Sequence, residues 1–188
     1  MPGVYVFPGG ALESGDRQIA VARDLRRNDV RLMRVEDRMQ ARALAITAIR
    51  ETFEETGVLC ACSGSGDEVG WADISQGHRL DLSALRYLGR ALTPNLSAIR
   101  FHARFFYTVR EDERLPMRQS AELEDLRWVD PSAVDDLPVA NVTRLMLMEL
   151  VRRFDAGGDA DATPFYHGER GDYRVEYDRA EEEAWRNR

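Results

Sequence analysis

The segment Arg50-Glu51-Thr52-Phe53-Glu54-Glu55-Thr56-Gly57-Val58 constrains this chain more than any other. Residues 43–56 read as one strong helix, with Gly57 as its stop because glycine enters left-handed backbone without strain. At about 100° per residue, Glu51, Glu54 and Glu55 fall within one sector about 100° wide. Three carboxylates on one side repel each other unless a cation sits among them. Hard oxygen ligands of this kind suit Mg²⁺ or Mn²⁺ rather than zinc. Arg50, four residues before Glu54, is placed to pair with it and fix its direction. A solvated acidic face is the plain alternative, yet these glutamates sit at the C-terminal end of the helix, where its dipole disfavours anions.

Upstream, Val4-Tyr5-Val6-Phe7 is a short β-type run that Pro8-Gly9-Gly10 stops, and the glycines let backbone approach a ligand closely. In the arginine-rich stretch 17–42, Val21, Leu25, Leu32, Val35 and Met39 are spaced loosely as one helical face. After Gly57, Val58-Leu59-Cys60 predicts a strand, Ser63 to Asp67 a loop, and 67–85 short helices. Two strands are expected at Tyr87 to Leu92 and Ile99 to Val109, joined at Thr93-Pro94-Asn95, and another at Leu123 to Val129. Pro131 opens a short helix, and Asn141 is expected to cap a helix through Leu145, Met148, Val151 and Phe154. Residues 155–161 read as a linker, and the tail from Pro164 as a charged extension with one strand at Tyr173 to Tyr177. The expected class is mixed α and β in one domain.

Composition narrows the chemistry. With 188 residues, 44% of them hydrophobic, the chain is long enough to bury a core without disulfides or structural zinc. All 26 basic residues are arginine. Without lysine there is no Walker A phosphate loop, no protein-kinase chemistry and no Schiff-base enzyme. A net charge of −7 argues against a nucleic-acid partner, while a nucleotide substrate stays open because a metal ion can carry local positive charge. No apolar run is long enough to span a membrane, and Met1 to Gly10 has no secretion pattern, so a cytoplasmic location is expected. Cys60 and Cys62 are expected as reduced thiols. His78, His102 and His167 are dispersed, and no Gly-x-Ser-x-Gly elbow exists.

Gly10, five residues, Asp16, and then Arg50-Glu51-x-x-Glu54-Glu55-x-Gly57-Val58 resembles the signature of the Nudix hydrolase family. That signature runs glycine, five residues, acid, seven residues, Arg-Glu, two residues, Glu-Glu, any residue, Gly. Asp16 replaces the usual glutamate, and Thr52 replaces a larger apolar residue. Thirty-three residues separate Asp16 from Arg50 instead of seven, an insertion of 26. An insertion at this place resembles the coenzyme A diphosphatase-like subgroup. Further matches are Gly3-x-x-x-Phe7-Pro8-Gly9-Gly10, Thr93-Pro94 followed by Arg100-Phe101-x-x-Arg104-Phe105-Phe106, and Glu122 six residues before Trp128-Val129. The resemblance covers roughly residues 3–154.

The resemblance implies a Nudix-type α/β (α+β) fold, a mixed β-sheet sandwiched between α-helices. It places the domain at 1–155, with 17–42 as a helical insertion within the box and 156–188 as a C-terminal extension. A strand normally precedes the Phe-Pro-Gly-Gly turn, and only Met1 to Tyr5 are available here. Either the start lies further upstream, or the first strand is missing or supplied by a partner.

It also implies roles. Glu51, Glu54 and Glu55, with a backbone carbonyl near Gly10, would hold Mg²⁺ or Mn²⁺. Arg50 would orient the carboxylates, and Glu51 or Glu122 would accept the proton of the attacking water. Phe7, Gly9, Gly10, Arg100 and Arg104 would contact the substrate. The implied reaction cleaves a diphosphate in a nucleoside diphosphate derivative. Coenzyme A or acyl-coenzyme A stands first, with ADP-ribose or a dinucleoside polyphosphate as the alternative, and a non-catalytic ligand-binding module as a third. The arginines of the insertion read as a solvated arm paired with Asp24, Asp29, Glu36 and Asp37, as a homodimer contact, or as a lid over a distal phosphate.

Overall fold

The computed structural model describes residues 3–60, 71–75, 79–92, 101–109, 117–118, 125–158, 161–169 and 172–180. Among them, a four-stranded mixed sheet runs in the order β4-β3-β5-β6, with β3 at Arg86–Leu92, β4 at His102–Tyr107, β5 at Ala162–Glu169 and β6 at Asp172–Arg179. β3 pairs antiparallel with β4 and parallel with β5, and β5 pairs antiparallel with β6. A small parallel pair joins β1 (Val21–Arg23) to β2 (Leu80–Asp81). The helices are α1 (Arg27–Leu32), α2 (Arg38–Thr56), α3 (Trp71–Ser75) and α4 (Asn141–Asp155). None of the described helices is long and apolar enough to cross a membrane.

The sheet has a core on each face. Tyr87 and Phe106 pack with Leu25, Leu32, Met33, Ile46 and Ile49. The neighbouring Leu88 and Phe105 pack with Met146, Tyr166 and Phe7. Successive side chains of a strand point to opposite faces, so the insertion and α2 cover one face and α4 the other. A β-bulge between Tyr87 and Gly89 leaves carbonyls to be satisfied. Buried Arg153 of α4 does this, donating to the carbonyls of Tyr87 and Leu88, while Glu149 one turn earlier accepts from its Nε at 3.0 Å. Gly89 is required on packing grounds, since a Cβ there would sit 2.7 Å from the Pro164 carbonyl oxygen on β5.

The predicted helix ending at Gly57 is present and begins earlier, at Arg38. Asp37 caps it, accepting from Gln40 N at 2.7 Å, and Gln40 Oε1 accepts from Glu36 N at 2.8 Å. Gly57 is left-handed at φ 75° and donates to Phe53 O at 2.7 Å. The strand pair around residue 90 is also as expected. Its predicted turn at Thr93-Pro94-Asn95 and the loop at 63–67 lie outside the described residues.

Several expectations are corrected. The stretch 17–42 is not one helical arm. It contributes β1, whose partner lies some sixty residues away, and its Leu25, Val30, Leu32 and Met33 are core residues. Its arginines are partly committed to structure, Arg38 and Arg42 pairing with Asp24 and Arg23 with Asp81. The tail is not a mere extension, because residues 162–179 form half of the main sheet. Val4 to Phe7 forms only an isolated bridge, Tyr5 with Val139, and β3 is paired on both edges without it. Val58 to Cys60 is not a strand, for Val58 N turns to Thr56 Oγ1 at 3.2 Å. Residues 125–129 are not extended in a sheet, since Asp125 adopts φ 57° and binds Tyr5 Oη and Arg127. Asn141 is the first residue of α4, and Ala140 is the cap position.

Candidate active site

The site is organised around one guanidinium. Arg50 is buried on α2 and uses all three of its nitrogens. Nε and Nη2 donate to the Asp16 carboxylate at 2.9 and 3.1 Å. Nη1 donates to Glu51 Oε1 and to Glu54 Oε2, both at 2.9 Å. Nη2 also donates to the Ala11 carbonyl at 3.0 Å, and Glu13 lies 3.8 Å from Nη1. This many anionic partners raise Arg50 further above its ordinary range, the Asp16 hydrogen bonds contributing most.

Asp16 is 2% exposed and is the structural anchor of the group. It accepts from Thr47 Oγ1 on α2 and from Glu13 N, both at 2.9 Å. Burial alone would push its carboxyl up. The hydrogen bonds from Arg50, Glu13 and Thr47 outweigh that and hold it below the usual carboxylate range. Sequence reasoning found Asp16 only as a signature position. Its bond to Arg50 spans 34 residues and depends on the insertion folding back.

Gly9 and Gly10 lie directly on the glutamates. Gly9 N donates to Glu55 Oε2 at 3.1 Å, which ties the turn to the last turn of α2. A Cβ on Gly10 would stand 2.3 Å from Glu51 Oε1, so only glycine lets the backbone lie against that carboxylate. Glu51 is therefore nearly enclosed, Glu55 is buried, and the Glu54 side chain remains half exposed.

The three glutamates do not close around a single point: among the described residues no three His, Cys, Asp or Glu side chains are gathered as a metal cage. Glu51 and Glu54 share Arg50 Nη1, while Glu55 turns to Gly9. The donor chemistry nonetheless fits a hard divalent ion, with two carboxylates converging on one cationic nitrogen beside a glycine cradle.

The remaining predicted residues are placed elsewhere or not at all. Phe7 packs edge-on against Phe105, centroids 6.2 Å apart. Arg104 donates to the carbonyls of Met33 and Arg34 in the insertion. Arg100 and Glu122 lie outside the described residues.

A crystal structure of a Nudix hydrolase from Alicyclobacillus acidocaldarius is similar to the chain at 30% sequence identity, with a TM-score of 0.63, over 80% of this chain and 77% of that one. No model of a known family matches, and no curated protein does. Identity and coverage at this level, on top of the Arg50 constellation, establish that the chain belongs to the Nudix hydrolase family.

Proposed function

We propose that the chain is a diphosphatase acting on a nucleoside diphosphate derivative, with coenzyme A or acyl-coenzyme A as its substrate. The observation that carries the hydrolytic reading is Arg50 Nη1 holding Glu51 and Glu54 side by side, with Gly10 against Glu51. The substrate choice is supported by the insertion between Asp16 and Arg50, which lies where the coenzyme A diphosphatase-like subgroup carries one.

In this reading Glu51, Glu54 and Glu55, with a backbone carbonyl near Gly10, would hold Mg²⁺ or Mn²⁺. When bound, the ion supplies charge neutralisation of the diphosphate and a lower pKa for water. Arg50 holds two of the carboxylates in register before substrate arrives, so little reorganisation is needed. Gly9 and Gly10 present backbone to the diphosphate, and Arg100 would contact the substrate. A carboxylate, Glu51 or Glu122, accepts the proton of the attacking water. An oxygen–phosphorus bond forms, the bridging phosphorus–oxygen bond breaks, and the products are adenosine 3′,5′-bisphosphate and a phosphopantetheine.

The test is hydrolysis of coenzyme A, acyl-coenzyme A, ADP-ribose, NADH and dinucleoside polyphosphates with Mg²⁺ or Mn²⁺, alongside Glu54→Gln. Metal-dependent cleavage of coenzyme A that the variant loses is the expected result. Preference for another member would replace the substrate. No cleavage by folded protein with metal bound would leave a binding module instead of an enzyme.

A further inference from the structure

We infer that the sheet face around Arg104 is a binding site for a phosphate monoester dianion. Arg104 on β4 stands directly opposite Arg90 on β3. Like charges opposite each other in a ladder destabilise it unless an anion answers both. Asp178 of β6 answers Arg90, accepting from Nε at 2.6 Å and Nη2 at 3.1 Å, and it lies 3.4 Å from Arg34 as well. Among the described residues Arg104 has no carboxylate partner. It donates only at long range, to Met33 O at 3.3 Å and Arg34 O at 3.4 Å, and its Nη1 carries no hydrogen bond yet is not sealed from solvent. Burial, and then the charge of Arg90, pull Arg104 below the ordinary guanidinium range. A half-buried cation left this way is costly, and an anion would relieve it.

Two buried hydroxyls in the same neighbourhood also lack partners. Tyr87 Oη is fully buried, and the strongest charges acting on it are Arg104, Arg90 and Asp178. Thr163 Oγ1 is buried directly across the ladder from Asp178. Beside them, His102 Nε2 accepts from Arg90 Nη1 at 3.0 Å, which keeps the ring neutral. The Arg90 guanidinium lies 3.4 Å over the Phe165 ring and is fixed in place. Guanidinium N–H groups and hydroxyls without acceptors are the complement of a phosphate, which offers several acceptor oxygens and a double charge.

The same chemistry has two sources, the monoester phosphate of a substrate such as coenzyme A or free inorganic phosphate. Anion binding does not depend on the diphosphatase reading; only the choice of source touches it.

Titration calorimetry with inorganic phosphate tests the site, in EDTA so that no divalent ion recruits phosphate to the glutamates. The wild type should bind saturably, and Arg104→Gln should weaken binding by about 10- to 100-fold, the scale of a charge-assisted contact. Tyr87→Phe should weaken it several-fold without lowering Tm, because its hydroxyl has no partner to lose. Absence of saturable binding, or wild-type affinity in both folded variants, would overturn the proposal. Displacement by coenzyme A but not by 3′-dephospho-coenzyme A supports a site for the substrate's own monoester, and displacement by neither supports one for free phosphate. Equal displacement by both means that a diphosphate is recognised, and sinks the monoester assignment.

Discussion

Two charged networks in this molecule follow opposite arithmetic. Around Arg50, one guanidinium serves Asp16, Glu51 and Glu54 within hydrogen-bond distance and Glu13 just beyond. Around Asp178, one carboxylate accepts from Arg90 and lies close to Arg34, while Arg104 across from Arg90 has no carboxylate partner among the described residues. The first leaves negative charge over, beside a glycine turn; the second, among the described residues, leaves Arg104 without a counter-charge, beside hydroxyls with no acceptor. Charge left uncompensated in half-buried surroundings costs stability, so each surplus points to a ligand of opposite sign.

The largest test of this comparison is Asp16→Asn, which takes a buried carboxylate from Arg50 while Glu51 and Glu54 stay on it, and should cost about 1.5–3 kcal/mol in denaturant unfolding at neutral pH, the scale of hydrogen bonds to a charged group. Asp16 titrates below its ordinary value in the fold. Its stabilisation is therefore present above the unfolded value near about 3.9 and lost as pH falls through the lower folded one. The gap between wild type and variant should close in strong acid, and a gap unchanged there would mean that the carboxylate charge is not what holds Arg50.

Next comes Glu54→Gln, expected to lower hydrolysis by about 100-fold or more, the scale of losing one preorganised charged contact. Because the Glu54 side chain is half exposed, its melting temperature should hardly move; a large fall would make Glu54 structural rather than functional. Gly10→Ala should act more mildly and on the same side of the comparison. Its methyl group displaces the end of the Glu51 side chain and no backbone, so folding should survive while activity falls by about 10-fold, as for loss of a supporting contact. Full activity in Gly10→Ala would show that Glu51 need not lie where it does.

The smallest effect probes the positive side. Burial, Arg104 and Arg90 push His102 down to about 4. Because the folded value is depressed, the neutral ring's contribution is complete above about 6.5, the unfolded value, and is lost as pH falls towards about 4. Thermal melts should decline more steeply across that window in wild type than in His102→Gln. Parallel curves would mean that no positive surplus acts on His102.

Much of the acidic site was legible in the sequence because it is local. The spacing of Arg50 and Glu54 on a helix dictates their contact, the left-handed stop at Gly57 follows from glycine, and the paired glycines at 9 and 10 announce close backbone approach. Asp16 was legible only as a position in a pattern, since nothing local says that its carboxylate accepts from a guanidinium 34 residues away. The basic network was nearly invisible. Arg104 read only as a substrate contact implied by a family resemblance, and Asp178 lay in a tail read as an extension.

The hairpin of β5 and β6 shows why. Its exposed Arg174, Glu176 and Tyr177 make the segment look like surface, while the buried Thr163, Tyr166 and Asp178 declare their setting only once β3 is beside them. Likewise the insertion's loosely spaced apolar residues fit a helix until β2 offers β1 a partner. The sequence by itself determined α2, its carboxylates and its stop, because helical geometry and capping act over a few residues. Only the tertiary structure decided that the insertion and the tail complete the core and that Arg90 faces Arg104, because strand pairing joins residues that no local rule connects.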